Sequence, residues 1–376
     1  MPDTHGGNIF KFSHDHKINL SEVTDFSANI NLLGPSPKGL EALNERLRYI
    51  SHYPDVTNDD VMNTIADVYG IEKDSILLGN GAAELLYAVG RLSGFTGAFV
   101  PAPGFSEYQS SMDAANIPVR EIFYRQRQND DSTPYFEVPY LALQTFAAEL
   151  KGQDGRIIVF LGNPNNPDGT LLDKQSIKVL AQMLKDANSL LVIDESFIDF
   201  IGDESLRDNS HSMRELINQY DNVIIVHSFT KFYAVPGLRI GAAYGNEKLI
   251  SQLHQYIPSW SVNTFAQAYT EAALNDVDYI KRTKQKLNEE RAFMYDALDV
   301  IEGITVYPPS ANFILFKVNH DGITANTINE NLKKYNMIVR NCDTYVGLNN
   351  QWVRIAIKDQ DTNIKLVEKL TDILKV

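Results

Sequence analysis

An α/β fold, with a mainly parallel sheet between layers of helices and a smaller α+β domain after it, is predicted by three features of this sequence. Apolar runs of strand length alternate with helical patterns from about Asp55 to Gly245. Each run ends in a polar or Gly/Pro-rich segment, and after Gly245 the texture changes to a long helical stretch followed by further strand-like runs. Alternation of this kind implies crossover connections, which cover a parallel sheet with helices on both faces. Ligands in such sheets sit beyond the carboxyl ends of the strands, so the polar segments should converge on one crevice.

Residues 1–50 show no core of their own and are expected to pack on the smaller domain, with Ser36-Pro37 opening a helix through the serine hydroxyl and the fixed proline φ. Residues 51–245 form the larger domain. In it LLGNGAAELL places Gly81 and Ala82 at a strand-to-helix junction, and GAFVPAP, RIIVFLGNP, SLLVIDES and NVIIVHSF read as strands near Val100, Val159, Ile193 and Ile225. The polar run QRQNDDSTP, Gln126 to Pro134, reads as a surface loop. Residues 246–376 form the smaller domain, helical from about Val262 to Ile301, with strand-like ANFILFKV, MIVRN and QWVRIAI behind.

With 376 residues the chain exceeds a usual single core, and 44% hydrophobic with 22% charged residues is ordinary for a folded protein. A net charge of -14 opposes attraction to nucleic acid or anionic membranes, which needs clustered Lys and Arg. An anionic small molecule fits if a few positive charges are well placed. Cys342 is the one cysteine, MPDTHGGNIF lacks the pattern of a signal peptide, and no apolar stretch could span a bilayer, so a cytoplasmic location is expected.

The most informative stretch is HSFTKFYAVPGLRIG, His227 to Gly241, where Lys231 follows a strand end and Arg239 comes eight residues later. Ser228 and Thr230 offer hydroxyls, and Arg239 a guanidinium fork suited to a phosphate. A lysine amid fixed positive charge can be held neutral and form an imine. An electron-sink cofactor also needs its ring nitrogen kept protonated, a task for Asp194 at the end of SLLVIDES. GNPNNPDG after another strand carries amides that could orient a ring hydroxyl. Backbone N–H groups at Gly81 and Ala82 could hold a phosphate at a helix N-terminus.

Together these segments resemble the fold-type I pyridoxal-phosphate family, in the branch that contains the histidinol-phosphate aminotransferases and the threonine-phosphate decarboxylases. HGGN at His5, DFSANIN at Asp25, PGFSEY at Pro103, DESFIDF at Asp194 and TKFYAVPGLR at Thr230 are most similar to the decarboxylases. The resemblance implies a seven-stranded sheet and pyridoxal 5′-phosphate bound as a Schiff base to Lys231. Asp194 would pair with the pyridine nitrogen, Asn166 with the phenolic oxygen, and Phe105 would stack on the ring. Gly81, Ala82, Ser228 and Arg239 would hold the cofactor phosphate, joined by Tyr53 of the neighbouring subunit in a homodimer. The substrate would be a small anionic amino acid, with Arg354 on the α-carboxylate and Arg340 on a distal phosphate, and with His5, Asn8 and Asn29 closing over that phosphate. NPDG stands where NPTG is usual, which adds the charge of Asp168 near the cofactor.

Aminotransferases of this branch usually carry a tyrosine where Phe197 stands, whereas the decarboxylases carry phenylalanine. The resemblance therefore implies a lyase that decarboxylates an O-phosphorylated amino acid such as threonine phosphate, of the kind used in cobalamin biosynthesis. A histidinol-phosphate-type aminotransferase is the second reading. A catalytically silent regulator that binds the cofactor is the third, opposed by the retained Lys231, Asp194, Asn166 and Arg354.

Overall fold

A computed structural model describes residues 6–151, 155–202, 206 and 210–375. Seven strands form its central sheet: β1 (Ile76–Gly79), β2 (Phe95–Ala102), β3 (Val119–Phe123), β4 (Arg156–Gly162), β5 (Leu190–Asp194), β6 (Val223–Ser228) and β7 (Gly241–Gly245). Their spatial order is β1-β7-β6-β5-β4-β2-β3. Neighbours pair in parallel except at β7, which is antiparallel to both β1 and β6.

The sheet is apolar on both faces because successive side chains point to opposite sides. Ile158 and Phe160 of β4 join Leu85, Leu86 and Val89 of the helix Gly81–Gly90 in one cluster. Val159 and Leu161 join Leu180 and Leu184 of the helix Lys174–Asp186 in the other, which continues into the C-terminal part of the chain. A Cβ at Gly241 would meet Ala82 N at 2.6 Å, so β7 passes under the start of the first of these helices only because it begins with glycine.

Strands β8 (Ile304–Tyr307), β9 (Phe313–Val318), β10 (Arg340–Asn341) and β11 (Trp352–Ala356) make an antiparallel sheet in the order β8-β9-β11-β10. The run MIVRN is thus divided: Met337–Ile338 pairs with Thr24–Asp25, and after Val339 the chain pairs with β11 instead. The long helical stretch also divides, into Thr264–Leu274 and Val277–Asp299, where the Asp276 side chain caps the second helix. Ser36 opens the helix Pro37–Arg46 as expected, its Oγ accepting from Gly39 N at 3.2 Å.

The expected loop from Gln126 to Pro134 is corrected to a hairpin, Arg125–Gln128 against Pro134–Glu137 with its tip between. Arg125–Gln128 is solvated on both faces, so no apolar alternation marks it as a strand. Residues 24–31 bridge the two sheets: Ala356 N donates to Phe26 O at 2.7 Å, and Asn31 N donates to Lys231 O at 3.1 Å. Among the described residues no helix is long and apolar enough to cross a membrane.

Candidate active site

Lys231 lies in the short helix Phe229–Phe232, directly after β6. Its Nζ donates to Ser228 Oγ at 3.1 Å, and Ser228 Oγ is 2.8 Å from Thr230 Oγ1. Burial holds the Lys231 amine down at about 8, with Asp194 opposing the shift and Arg239 adding to it. The following chain is held left-handed at Ala234 (φ 53°) and Arg239 (φ 57°), a conformation non-glycine residues adopt at a cost. This turn brings the Arg239 guanidinium against Gly81, where any Cβ would collide with Nη2. Gly81 itself has φ +80°. The N–H groups that open the helix Gly81–Gly90, Ser228 and Arg239 are the groups that could hold a phosphate here.

Asp194 ends β5 and is buried. Its Oδ2 accepts from Tyr108 OH at 2.9 Å and its Oδ1 from Ser196 N at 2.9 Å, so it also closes the following turn. Each oxygen keeps a second lone pair for a ring N–H. Phe105 meets the edge of Tyr108 with centroids 5.7 Å apart. Asn166 turns its Oδ1 to Arg354 Nη1 and to Tyr345 OH, which leaves its amide nitrogen for a ring oxygen. Phe197 is buried, its ring centroid 6.0 Å from Lys231 Nζ.

Arg340 and Arg354 are direct partners across β10 and β11, so their side chains leave the same face of the sheet. They are 7% and 5% exposed. Arg354 donates to Ser27 O at 2.6 Å and to Tyr345 OH at 3.2 Å, while its Nε is buried with no hydrogen-bond partner. Arg340 donates to Thr344 Oγ1 at 2.8 Å and lines two cavities. One, of about 210 Å³, also contains Phe105 and Tyr345. The other, of about 400 Å³, is walled by Gly7, Asn8 and Lys11. Asn29 is buried with Oδ1 unpartnered but is not in that wall. His5 lies outside the described residues.

Tyr53 lines a different cavity and is 79% exposed, stacked on Trp260 at 4.7 Å. Asp168 accepts from Asn165 Nδ2 and from Thr170 N, which makes it the brace of its own turn. Glu195 is likewise structural, accepting from Asn163 Nδ2, Ser212 Oγ and Met213 N. Sequence reasoning missed Tyr345, which links Asn166 to Arg354; nothing in its neighbourhood marks it. Tyr108 was within reach, because PGFSEY had already been singled out.

A mostly parallel sheet with a lysine, a carboxylate and a phosphate cradle at its strand ends defines the class. The chain belongs to the class I and II aminotransferase family, whose model matches residues 21–370, and its cofactor is pyridoxal 5′-phosphate. It is 34% identical to the adenosylcobalamin biosynthesis bifunctional protein CobDQ of Leptospira interrogans over 98% of this chain, which spans 41% of that longer protein. It is 30% identical to the threonine-phosphate decarboxylase of Salmonella typhimurium, over 98% of this chain and 96% of that one. The crystal structure of the histidinol-phosphate aminotransferase from Clostridium acetobutylicum matches with a TM-score of 0.82 at 27% identity, covering 94% of this chain and 99% of the other. The family fold is thus the fold-type I arrangement, and its members act on small molecules, typically as dimers.

The residues fit that cofactor: the Arg239 guanidinium stands against the bare Gly81 at the helix start, and burial lowers the Lys231 amine to about 8. Capture of the cofactor by cofactor-free protein is expected to quicken in step with the neutral fraction of Lys231 and to level off above about pH 8. Stopped-flow absorbance measures this, and a rate unchanged across that midpoint rejects it. The sign for stability is the same. Because the unfolded lysine keeps its ordinary 10.5, it binds more protons than the folded one in between, so this group adds stability as pH rises from about 8 to 10.5.

Proposed function

We propose that this enzyme removes the carboxylate of an O-phosphorylated amino acid, with L-threonine O-3-phosphate giving 1-aminopropan-2-ol phosphate and carbon dioxide. One observation carries the reading: two buried guanidiniums, Arg340 and Arg354, stand opposite each other on neighbouring strands. Like charges so placed repel, and the arrangement suits a ligand with two anionic ends. Arg354, with its buried unpartnered Nε, would take the α-carboxylate. Arg340 would take the phosphate in the cavity it shares with Asn8.

When bound, pyridoxal 5′-phosphate supplies an aldehyde that condenses with amines and a protonated ring that draws electrons from the substrate Cα. The chain does the rest. Gly81, Ala82, Ser228 and Arg239 hold the phosphate, Asp194 keeps the ring nitrogen protonated, Asn166 donates to the phenolic oxygen, and Phe105 walls one face. Lys231 Nζ would hold the cofactor through its aldehyde and would deliver a proton to Cα once the carboxylate has left as carbon dioxide. Phe197 offers no hydroxyl to the phenolic oxygen, where aminotransferases of this branch usually carry a donating tyrosine and the decarboxylases a phenylalanine, which favours carboxylate loss.

The same reading makes the enzyme a homodimer, with Tyr53 reaching the cofactor phosphate of the second copy. Ile50, Tyr53, Val56 and Trp260 are 72%, 79%, 54% and 50% exposed, an apolar surface of the kind that association covers. It also divides the chain at about residues 50 and 245 into an N-terminal segment, a cofactor domain and a smaller domain.

Phosphothreonine mixed with holoenzyme should release carbon dioxide and 1-aminopropan-2-ol phosphate. If neither forms, while histidinol phosphate and 2-oxoglutarate yield glutamate, the protein is an aminotransferase instead.

A further inference from the structure

We propose, on the reading of Lys231 as the residue that bonds the cofactor, that the buried Asp199–His227 pair positions Lys231 through hydrogen bonds rather than through charge. His227 and Asp199 are 1% and 4% exposed. His227 is the last residue but one of β6 and precedes Ser228, the partner of Lys231 Nζ. Its Nε2 is 2.9 Å from Asp199 Oδ2, and its Nδ1 is 2.9 Å from Tyr244 OH on β7. The same Asp199 oxygen accepts from Tyr69 OH at 2.9 Å, at the end of the helix Asp59–Tyr69.

Asp199 belongs to the turn Ile198–Phe200, a few residues after Asp194 and two after Phe197. The pair therefore adds a side-chain tie between two segments that end neighbouring strands: the strand end with Ser228 and Lys231, and the turn with Asp194 and Phe197. Protons are specified by the partners. A carboxylate only accepts, so Nε2 carries hydrogen and donates to Asp199, while Nδ1 shares the second hydrogen bond with Tyr244 OH. Burial pushes the Tyr69, Tyr233 and Tyr244 phenols up, so they remain neutral. Arg214 stacks over Tyr69 with 4.7 Å to the ring centroid and closes the cluster on that side. The Lys231 amine itself is governed by burial, Asp194 and Arg239, which leaves geometry as the route by which Asp199 acts.

The test is a pH titration of the visible absorbance of the lysine–cofactor bond in holoenzyme, with kcat and KM beside it. Asp199→Ala should shift the titration midpoint and lower kcat by about 10- to 100-fold at nearly constant KM, the scale of a small misplacement. Asp199→Asn keeps an acceptor for both Nε2–H and Tyr69 OH and should titrate as wild type. An Asp199→Ala protein with an unchanged midpoint and kcat overturns the proposal, even if it melts earlier. So does an Asp199→Asn shift as large as that of Asp199→Ala, which would mean that charge is what matters. If Asp199→Ala does not fold, Tyr244→Phe, which withdraws only the hydroxyl bonded to Nδ1, must move the midpoint, and an unchanged value there overturns the proposal. Wild-type protein with no absorbance from a bond at Lys231 would instead reject the reading of Lys231 itself.

Discussion

Lys231→Ala protein is expected to lose the borohydride-reducible bond to its cofactor and, with it, turnover by on the order of 10⁴-fold or more, as when a covalent or proton-carrying group is removed. The size follows from two duties resting on one nitrogen. Nζ would make the resting link, for which burial has brought it down to about 8, and among the described residues it is the amine 3.1 Å from Ser228 Oγ. It would also return a proton to Cα. Cofactor can still settle in the cradle of Gly81, Ser228 and Arg239, so the variant should bind it without bonding it. Borohydride reduction followed by mass measurement separates the two states. Turnover that survives the change would refute the role of Lys231.

The second large effect is at Asp194. Asp194→Asn should lower kcat by about 10²- to 10³-fold, the usual loss when one fixed group that stabilises developing charge is removed. Tyr108 OH and Ser196 N both donate to the Asp194 carboxylate, one to each oxygen. An amide has a single acceptor oxygen, so one of these donors is left without its partner and the side chain can no longer hold a positive ring nitrogen. Cofactor affinity should fall less than kcat, because the phosphate cradle is untouched. Equal kcat in the variant and the wild type, at matched cofactor occupancy, would remove Asp194 from the chemistry.

Much of this site was legible before any coordinates. Asp194 and Ser228 end apolar runs, and Gly81 follows one, so the strand pattern itself placed them at the carboxyl edge of the sheet. Lys231, three residues after Ser228, was placed with them. The arginine pair was legible only as two separate arginines. That Arg340 stands opposite Arg354 depends on the chain changing partners at Val339, from Thr24–Asp25 to β11, and no local pattern records such a change. Asp168 posed the same difficulty at shorter range: its carboxylate turns back to Thr170 N and Asn165, a choice settled by the closure of that turn.

Periodicity by itself determined the layered fold and the places of Lys231 and Asp194 at the strand ends, because these depend on neighbours within a few residues. Tertiary structure alone decided the facing guanidiniums, the Tyr345 link between Asn166 and Arg354, and the histidine cluster beneath Lys231. The guanidiniums are 14 residues apart, His227 and Asp199 28, and Asn166 and Tyr345 179, and the directions of those side chains follow from strand register and close packing, which no short stretch of sequence contains.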